Sequence, residues 1–388
     1  MAAVTRSSEL LKSLRTLGRH PQLHFPARLL ALDGGGVKGI ASLQILRRIM
    51  EKVQELELQD VEKLKNVESL KLTTEQEQEL NQERLPLHYF DLAAGTSTGG
   101  IIGIMLFRLR MSTSEAIQRF GVLGYWLGNG LLKFKALVKK ARFSDKPLME
   151  GINHVIEGCQ ERLEESPYEK GKFFLIPRQK ESTSVSPISK SAKQAKDELD
   201  NIDISTAARA TSAAPTYLPE AIWGEAKKLR FWDGGLLNNN PIDQLWAARF
   251  ELVEAKDPEP DISCIVSLGT GWSTEQPSGW IRWFRFINTL TTATLFMTNT
   301  RAKHMDFQRH IETLNFRQRE HKQNETLYFR FDTPTKDESF NLDDYQKMPK
   351  LKKLIETYMD KVIAAEIEVC AKSLKRSEEQ IRGHLTRV

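Results

Sequence analysis

Gly95-Thr96-Ser97-Thr98-Gly99 sets a serine two residues from a glycine on either side. Glycines at those positions have no Cβ to clash when the chain bends sharply. Such a bend lifts a hydroxyl clear of the backbone and presents it as a nucleophile. A second glycine turn lies upstream at Asp33-Gly34-Gly35-Gly36-Val37-Lys38-Gly39. Consecutive glycines entering a helix leave backbone N–H groups unshielded. They can cradle a phosphate or the oxyanion of an acyl transfer, and they also make a tight turn with close helix packing. A third turn, Asp233-Gly234-Gly235, offers a carboxylate beside two residues that leave room for another group to approach. Alone, Asp233 reads as a turn or capping residue.

Gly34-x-Gly36-x-x-Gly39 also has the form of a nicotinamide-dinucleotide fingerprint. That fold wants an acidic residue at the end of the next strand, about 20 residues on. Glu55 and Glu57 fall in a polar helical stretch instead. No Gly-Lys-Ser/Thr follows the turn, so a P-loop does not fit either.

A serine nucleophile needs a base. In the commonest serine hydrolases it is a histidine, oriented by an acid. Downstream of Ser97 lie His154, His304, His310, His321 and His384. None sits in a glycine-bounded loop directly after an expected strand. His154 falls mid-helix, His88 mid-strand, and His304 and His310 in the helical stretch Thr300–Thr313. Asp233 follows the expected strand Leu229–Trp232 and could take the serine proton directly. It is a weak base, so the site would have to exclude water and hold the hydroxyl within about 3 Å.

These residues need a frame. Arg28–Leu32 and Pro86–Gly95 read as strands, each running through a glycine turn into a helix, Ile40–Val53 and Gly99–Arg108. Lys172–Ile176, Leu229–Trp232 and Ile262–Leu268 are further strands. Thr113–Trp126, Ile204–Ala214 and the long amphipathic Lys350–Leu374 are helices, and Asn238-Asn239-Asn240-Pro241 caps another. Strands that alternate with helices and end in glycine turns predict a parallel sheet with helices on both faces. In such a sheet the carboxyl ends of the strands line one crevice, where the three turns would meet.

Taken together and in this order, the three turns resemble the patatin-like phospholipase family. Ala210-Thr211-Ser212-Ala213-Ala214-Pro215-Thr216-Tyr217 and Ser267-Leu268-Gly269-Thr270-Gly271 are also similar to stretches of that family. The likeness covers about Leu29 to Gly271. It implies an α/β three-layer fold with a central, mainly parallel sheet. It also implies a Ser–Asp dyad without histidine: Ser97 as nucleophile, Asp233 as base, and backbone N–H groups of Gly34, Gly35 and Gly36 as the oxyanion hole, Gly35 and Gly36 foremost. The implied reaction is hydrolysis of fatty acyl esters of phospholipids or neutral glycerolipids through an acyl-enzyme. The resemblance implies no cofactor and no metal. A non-catalytic lipid-binding or storage protein of the same fold is the alternative.

On this reading residues 1–28 are a leader and 29–272 the catalytic domain. A helical insertion spans 51–82 and a mobile, Ser/Lys/Gln-rich loop spans 179–196. Residues 273–388 form a mainly helical C-terminal extension. The leader is basic, with a helix expected over Ser8–Leu17; a mitochondrial presequence has a similar composition. Lys+Arg total 56 against 51 Asp+Glu, a net charge of +5 that is too mild to mark a nucleic-acid binder. The most apolar run, Ile101–Phe107, is far too short to span a bilayer. Cys159, Cys264 and Cys370 are odd in number and widely spaced, which reads as reduced thiols in the cytoplasm. Two stretches mix basic and apolar residues or are rich in aromatics, Gly124–Phe143 and Trp280–Phe296. Each reads as core or as a contact with a membrane or lipid-droplet surface.

Overall fold

The computed structural model describes residues 26–68, 72–129, 144–159, 202–214, 217–223, 229–252, 261–272, 300–335, 340 and 345–385. Strand β1 (Ala27–Leu32) leads through a single 3-10 turn at Gly36–Gly39 into α1 (Ile40–Glu68). The short α2 (Thr74–Asn81) is started by a capping box between Thr73 and Gln76. β2 (Leu92–Gly95) runs through Thr96 and Ser97 into α3 (Thr98–Gly103), which ends in a π turn at Ile104–Arg108. Next come α4 (Thr113–Asn129), α5 (Lys146–Glu157) and α6 (Ile204–Thr211), the last capped by Asp203. β3 (Ala221–Trp223) and β4 (Leu229–Phe231) precede α7 (Gly235–Asn238) and α8 (Ile242–Ala248). After β5 (Ile262–Leu268) come α9 (Thr300–Glu320), β6 (Leu327–Phe331), α10 (Met348–Lys361), α11 (Ala364–Leu374) and α12 (Glu378–Leu385).

Four strands form one parallel sheet in the order β2-β1-β5-β6. β1 and β5 are central, and both are almost continuously apolar and buried, as strands covered on both faces must be. Leu30, Leu32, Cys264, Val266 and Leu268 face the larger core, built from α1, α3, α4, α5, α10 and α11. Leu29, Ala31 and Ile265 face the opposite way, onto Ile242 and Leu245 of α8 and Phe307 and Ile311 of α9. The result is the three-layer α/β arrangement that the strand–helix alternation predicts.

Several elements differ from expectation. The strand expected over Pro86–Gly95 begins only at Leu92; Pro86–His88 is a 3-10 turn, so His88 is not in a strand. α1 runs unbroken from Ile40 to Glu68, through the first part of the 51–82 stretch. The long helix expected over Lys350–Leu374 breaks at Val362-Ile363, where two β-branched residues meet. The break lets each half keep its own apolar stripe inward, Leu351, Ile355 and Met359 before it and Ile367, Cys370 and Leu374 after it. β4 does not join the parallel sheet but pairs antiparallel with β3. β6 is a strand the sequence reading lacks.

The expected leader helix, the strand Lys172–Ile176, the loop 179–196, the stretch Trp280–Phe296 and residues 130–143 of the basic stretch lie outside the described residues. Among the described residues no helix is long and apolar enough to cross a membrane. Cys159, Cys264 and Cys370 are buried free thiols.

Candidate active site

Ser97 sits in the bend between β2 and α3 with φ 54° and ψ −123°. That conformation is sparsely populated for a residue with a side chain and costs on the order of 1–3 kcal/mol. The flanking glycines make it sterically accessible. A Cβ on Gly95 would lie 2.2 Å from the Gly99 carbonyl oxygen, and one on Gly99 would lie 2.3 Å from the Leu32 carbonyl oxygen. The bend therefore closes on itself and on the end of β1. Gly99→Ala is expected to destabilise the fold by at least about 2 kcal/mol, because backbone rather than a movable side chain blocks the new methyl group. A denaturant midpoint checks this; a midpoint equal to wild type would show that the contact yields. Ser97 N–H donates to Thr211 Oγ1 at 3.1 Å, and Thr96 Oγ1 donates to the Asn238 carbonyl at 2.7 Å.

Ser97 Oγ donates to Asp233 Oδ2 at 2.6 Å. The other carboxylate oxygen, Oδ1, accepts the Gly235 N–H at 2.7 Å. Asp233 N–H donates to the Ala213 carbonyl, which fixes the end of β4 against α6. Ser97 is 6% exposed and Asp233 2%. Burial pushes the Asp233 carboxyl up to about 6, against the pull of its bonds from Ser97 and Gly235. The short O–H···O distance is that of a charge-assisted bond to a carboxylate. Two of the described histidines have other partners: His304 Nδ1 lies 3.1 Å from Tyr328 Oη, and His310 packs edge-on to Trp246.

The first glycine turn stands beside this pair. A Cβ on Gly34 would lie 3.1 Å from Ser97 Cβ. Gly34 N–H donates to the Asn239 carbonyl at 3.0 Å and Gly35 N–H to Thr98 Oγ1 at 3.2 Å. Gly36, at φ 59°, opens the 3-10 turn. Its N–H is one that a helix start leaves without an internal partner, and it donates to no group among the described residues. Of the three glycines expected to hold an oxyanion, two have N–H groups already engaged in closing the turn. Gly36 and Thr98 border a small cavity lined by Ile101, Phe120, Leu123 and Leu148. Ile101 and Leu123 also line a second small cavity with Ile104, Met105 and Ile204. The side chains around both are almost all apolar.

Asp33, just before the turn, is buried and bound by both terminal nitrogens of Arg330. Thr270 Oγ1 donates to the Gly34 carbonyl at 3.0 Å. Sequence reasoning gave no site role to Thr98, Thr211, Thr270, Arg330 or Asp332. One signal was legible: in Leu327-Tyr328-Phe329-Arg330-Phe331 a single arginine interrupts an apolar, aromatic run. A buried guanidinium needs a carboxylate partner.

The dinucleotide arrangement is not built here. β2 ends in Gly95, followed by Thr96 and Ser97, where that fold needs an acid. Among the described residues no group of His, Cys, Asp and Glu side chains is arranged to hold a metal ion.

A family model described as Patatin-like phospholipase matches residues 30–246, more than half of the chain, and spans Asp33, Ser97 and Asp233. Patatin-like protein 1 of Oryza sativa subsp. indica is 27% identical over 66% of this chain and 64% of its own length. Calcium-independent phospholipase A2-gamma of Rattus norvegicus is 27% identical over 63% of this chain and 28% of its own. The 85/88 kDa calcium-independent phospholipase A2 of Mus musculus is 26% identical over 66% and 29%. The chain thus spans less than two thirds of the length of each of these relatives.

Proposed function

The chain belongs to the patatin-like phospholipase family, and from that premise we propose that it is a serine lipid acyl hydrolase working through Ser97 and Asp233. Its substrates are fatty acyl esters of phospholipids or neutral glycerolipids. Its place of work is a membrane or lipid-droplet surface in the cytoplasm. The observation that carries this reading is the 2.6 Å bond from the strained Ser97 to the buried Asp233.

Ser97 Oγ attacks the acyl carbonyl carbon as its proton passes to Asp233 Oδ2. Charge on the carbonyl oxygen is taken up at the glycine turn, where the Gly36 N–H, unlike those of Gly34 and Gly35, is not bonded within the turn. The bond to the glycerol oxygen then breaks, and that oxygen leaves with the proton from Asp233. Water repeats the sequence on the acyl-enzyme, releasing fatty acid and restoring the serine. The apolar side chains of Ile101, Phe120 and Leu123 beside Gly36 and Thr98 offer an acyl chain its contacts, and burial raises Asp233 toward the range where a carboxylate is a useful base.

Two measurements test this. Fatty acid release from phosphatidylcholine vesicles and from triacylglycerol emulsions should be detectable in at least one panel. No release from either, with no labelling by a fluorophosphonate, would favour a lipid-binding protein. The second is pH dependence. Asp233 must be ionised to act, so kcat/KM for p-nitrophenyl butyrate should fall about tenfold per unit below about pH 6. A profile flat to pH 4.5 would remove Asp233 as the base.

A further inference from the structure

We infer that Arg330 is a positioning residue for the oxyanion turn: through Asp33 it sets where the Gly34–Gly36 backbone stands relative to Ser97. This rests on the acyl hydrolase reading and extends it to a residue outside the span matched by the family model.

The geometry is a fork. Nη1 donates to Asp33 Oδ1 at 3.0 Å and Nη2 to Asp33 Oδ2 at 2.6 Å. Two parallel bonds fix both the position and the plane of a carboxylate, which one point charge cannot do. The same guanidinium reaches Ser267 Oγ at 2.8 Å and Asp332 Oδ2 at 3.0 Å, and Asp332 Oδ1 accepts the Gly271 N–H at 2.9 Å. Arg330 therefore ties together the carboxyl ends of β1, β5 and β6.

Asp33 is the last residue before the glycines. Its N–H donates to the Leu268 carbonyl, and its own carbonyl faces Gly99 so closely that a Cβ there would be 2.6 Å away. A rotation of Asp33 would thus move both the oxyanion turn and the bend that carries Ser97. Burial pushes the Asp33 carboxyl up to about 6. Burial also works against the guanidinium's charge, but Asp33 and Asp332 outweigh it and hold Arg330 above its ordinary value. A buried ion pair of this kind adds little net stability, because both charges lose their water. What it does supply is orientation, and a displacement of about 1 Å in a catalytic group costs on the order of a hundredfold in rate.

The test is a double-mutant cycle on the full chain with Arg330→Lys, Asp33→Asn and the double variant. Active sites are counted by fluorophosphonate titration, and kcat and KM are measured with p-nitrophenyl butyrate. Lysine keeps the charge but loses the fork. Arg330→Lys should lower kcat per titrated site at least about tenfold with KM within about twofold, and the double variant should be no worse than the weaker single one. A kcat per site within about twofold of wild type, with only the titratable fraction or the melting temperature reduced, would show a purely structural role and overturn the inference. Were Arg330→Lys not to fold, Asp33→Asn, which is isosteric, decides by the same kcat criterion. Wild-type protein that neither labels nor hydrolyses would instead overturn the acyl hydrolase reading itself.

Discussion

Alanine at position 97 is expected to leave a folded protein that no longer reacts with a fluorophosphonate and whose esterase rate falls at least about 10⁴-fold. The size of the effect follows from the lack of a substitute. Ser97 Oγ is the hydroxyl bonded to Asp233. Thr96 Oγ1 is committed to the Asn238 carbonyl, while Thr211 Oγ1 and Thr98 Oγ1 accept from Ser97 N–H and Gly35 N–H. No neighbouring hydroxyl in this set points at the carboxylate. Removing one oxygen changes little volume, and alanine has the same Cβ constraint at φ 54° as serine, so the circular dichroism spectrum should be unchanged. Labelling that survives Ser97→Ala would sink the mechanism.

Asp233→Asn is expected to do two opposite things. Loss of the base should lower kcat by about 10²–10⁴-fold, because asparagine can hold the serine but cannot take its proton. At pH 8 the same variant should be more stable than wild type. Burial raises the Asp233 carboxyl from its ordinary value of 3.8 to about 6 in the folded protein. A folded pKa above the unfolded one means that the folded state holds the proton more tightly. Its stabilising contribution is fully present below about pH 4 and is lost as pH rises through about 6. Two units correspond to roughly 3 kcal/mol, the cost of keeping this carboxylate charged and buried at neutral pH. Asparagine removes the charge and keeps the shape. The variant should therefore gain about 2–3 kcal/mol at pH 8, with the gain vanishing below about pH 4. Denaturant unfolding at the two pH values checks this. A variant less stable than wild type at pH 8 would mean that the bonds from Ser97 and Gly235, rather than burial, dominate the energetics of Asp233.

The features legible in the chain were those set by neighbours in sequence. The stretches Arg28–Leu32 and Ile262–Leu268 became central strands, β1 and β5, because a parallel strand covered on both faces shows itself as a nearly continuous apolar stretch. The bend at Ser97 was legible because its glycines answer a local steric demand, seen in the contacts a Cβ would make at Gly95 and Gly99. The break of the C-terminal helix at Val362-Ile363 was not, because two adjacent β-branched residues are a weak local signal beside an amphipathic spacing that runs on through them. β4 was legible as a strand but not as a member of a separate antiparallel pair. Three residues, Leu229, Arg230 and Phe231, carry no record of which edge they join.

The sequence by itself determined the glycine turns, the central strands β1 and β5, and the two residue types able to do the chemistry, because each depends on sterics or periodicity within about ten residues. Only the tertiary structure decided which groups meet. Ser97 and Asp233 are 136 positions apart, and Asp33 and Arg330 are 297. The same decision engages the Gly34 and Gly35 N–H groups in the turn and leaves Gly36 free of it, since their partners, Asn239 and Thr98, arrive from other elements. Contacts of that range are chosen by which buried surfaces fit and which buried charges find a counter-charge, and neither is written at any single position of the chain.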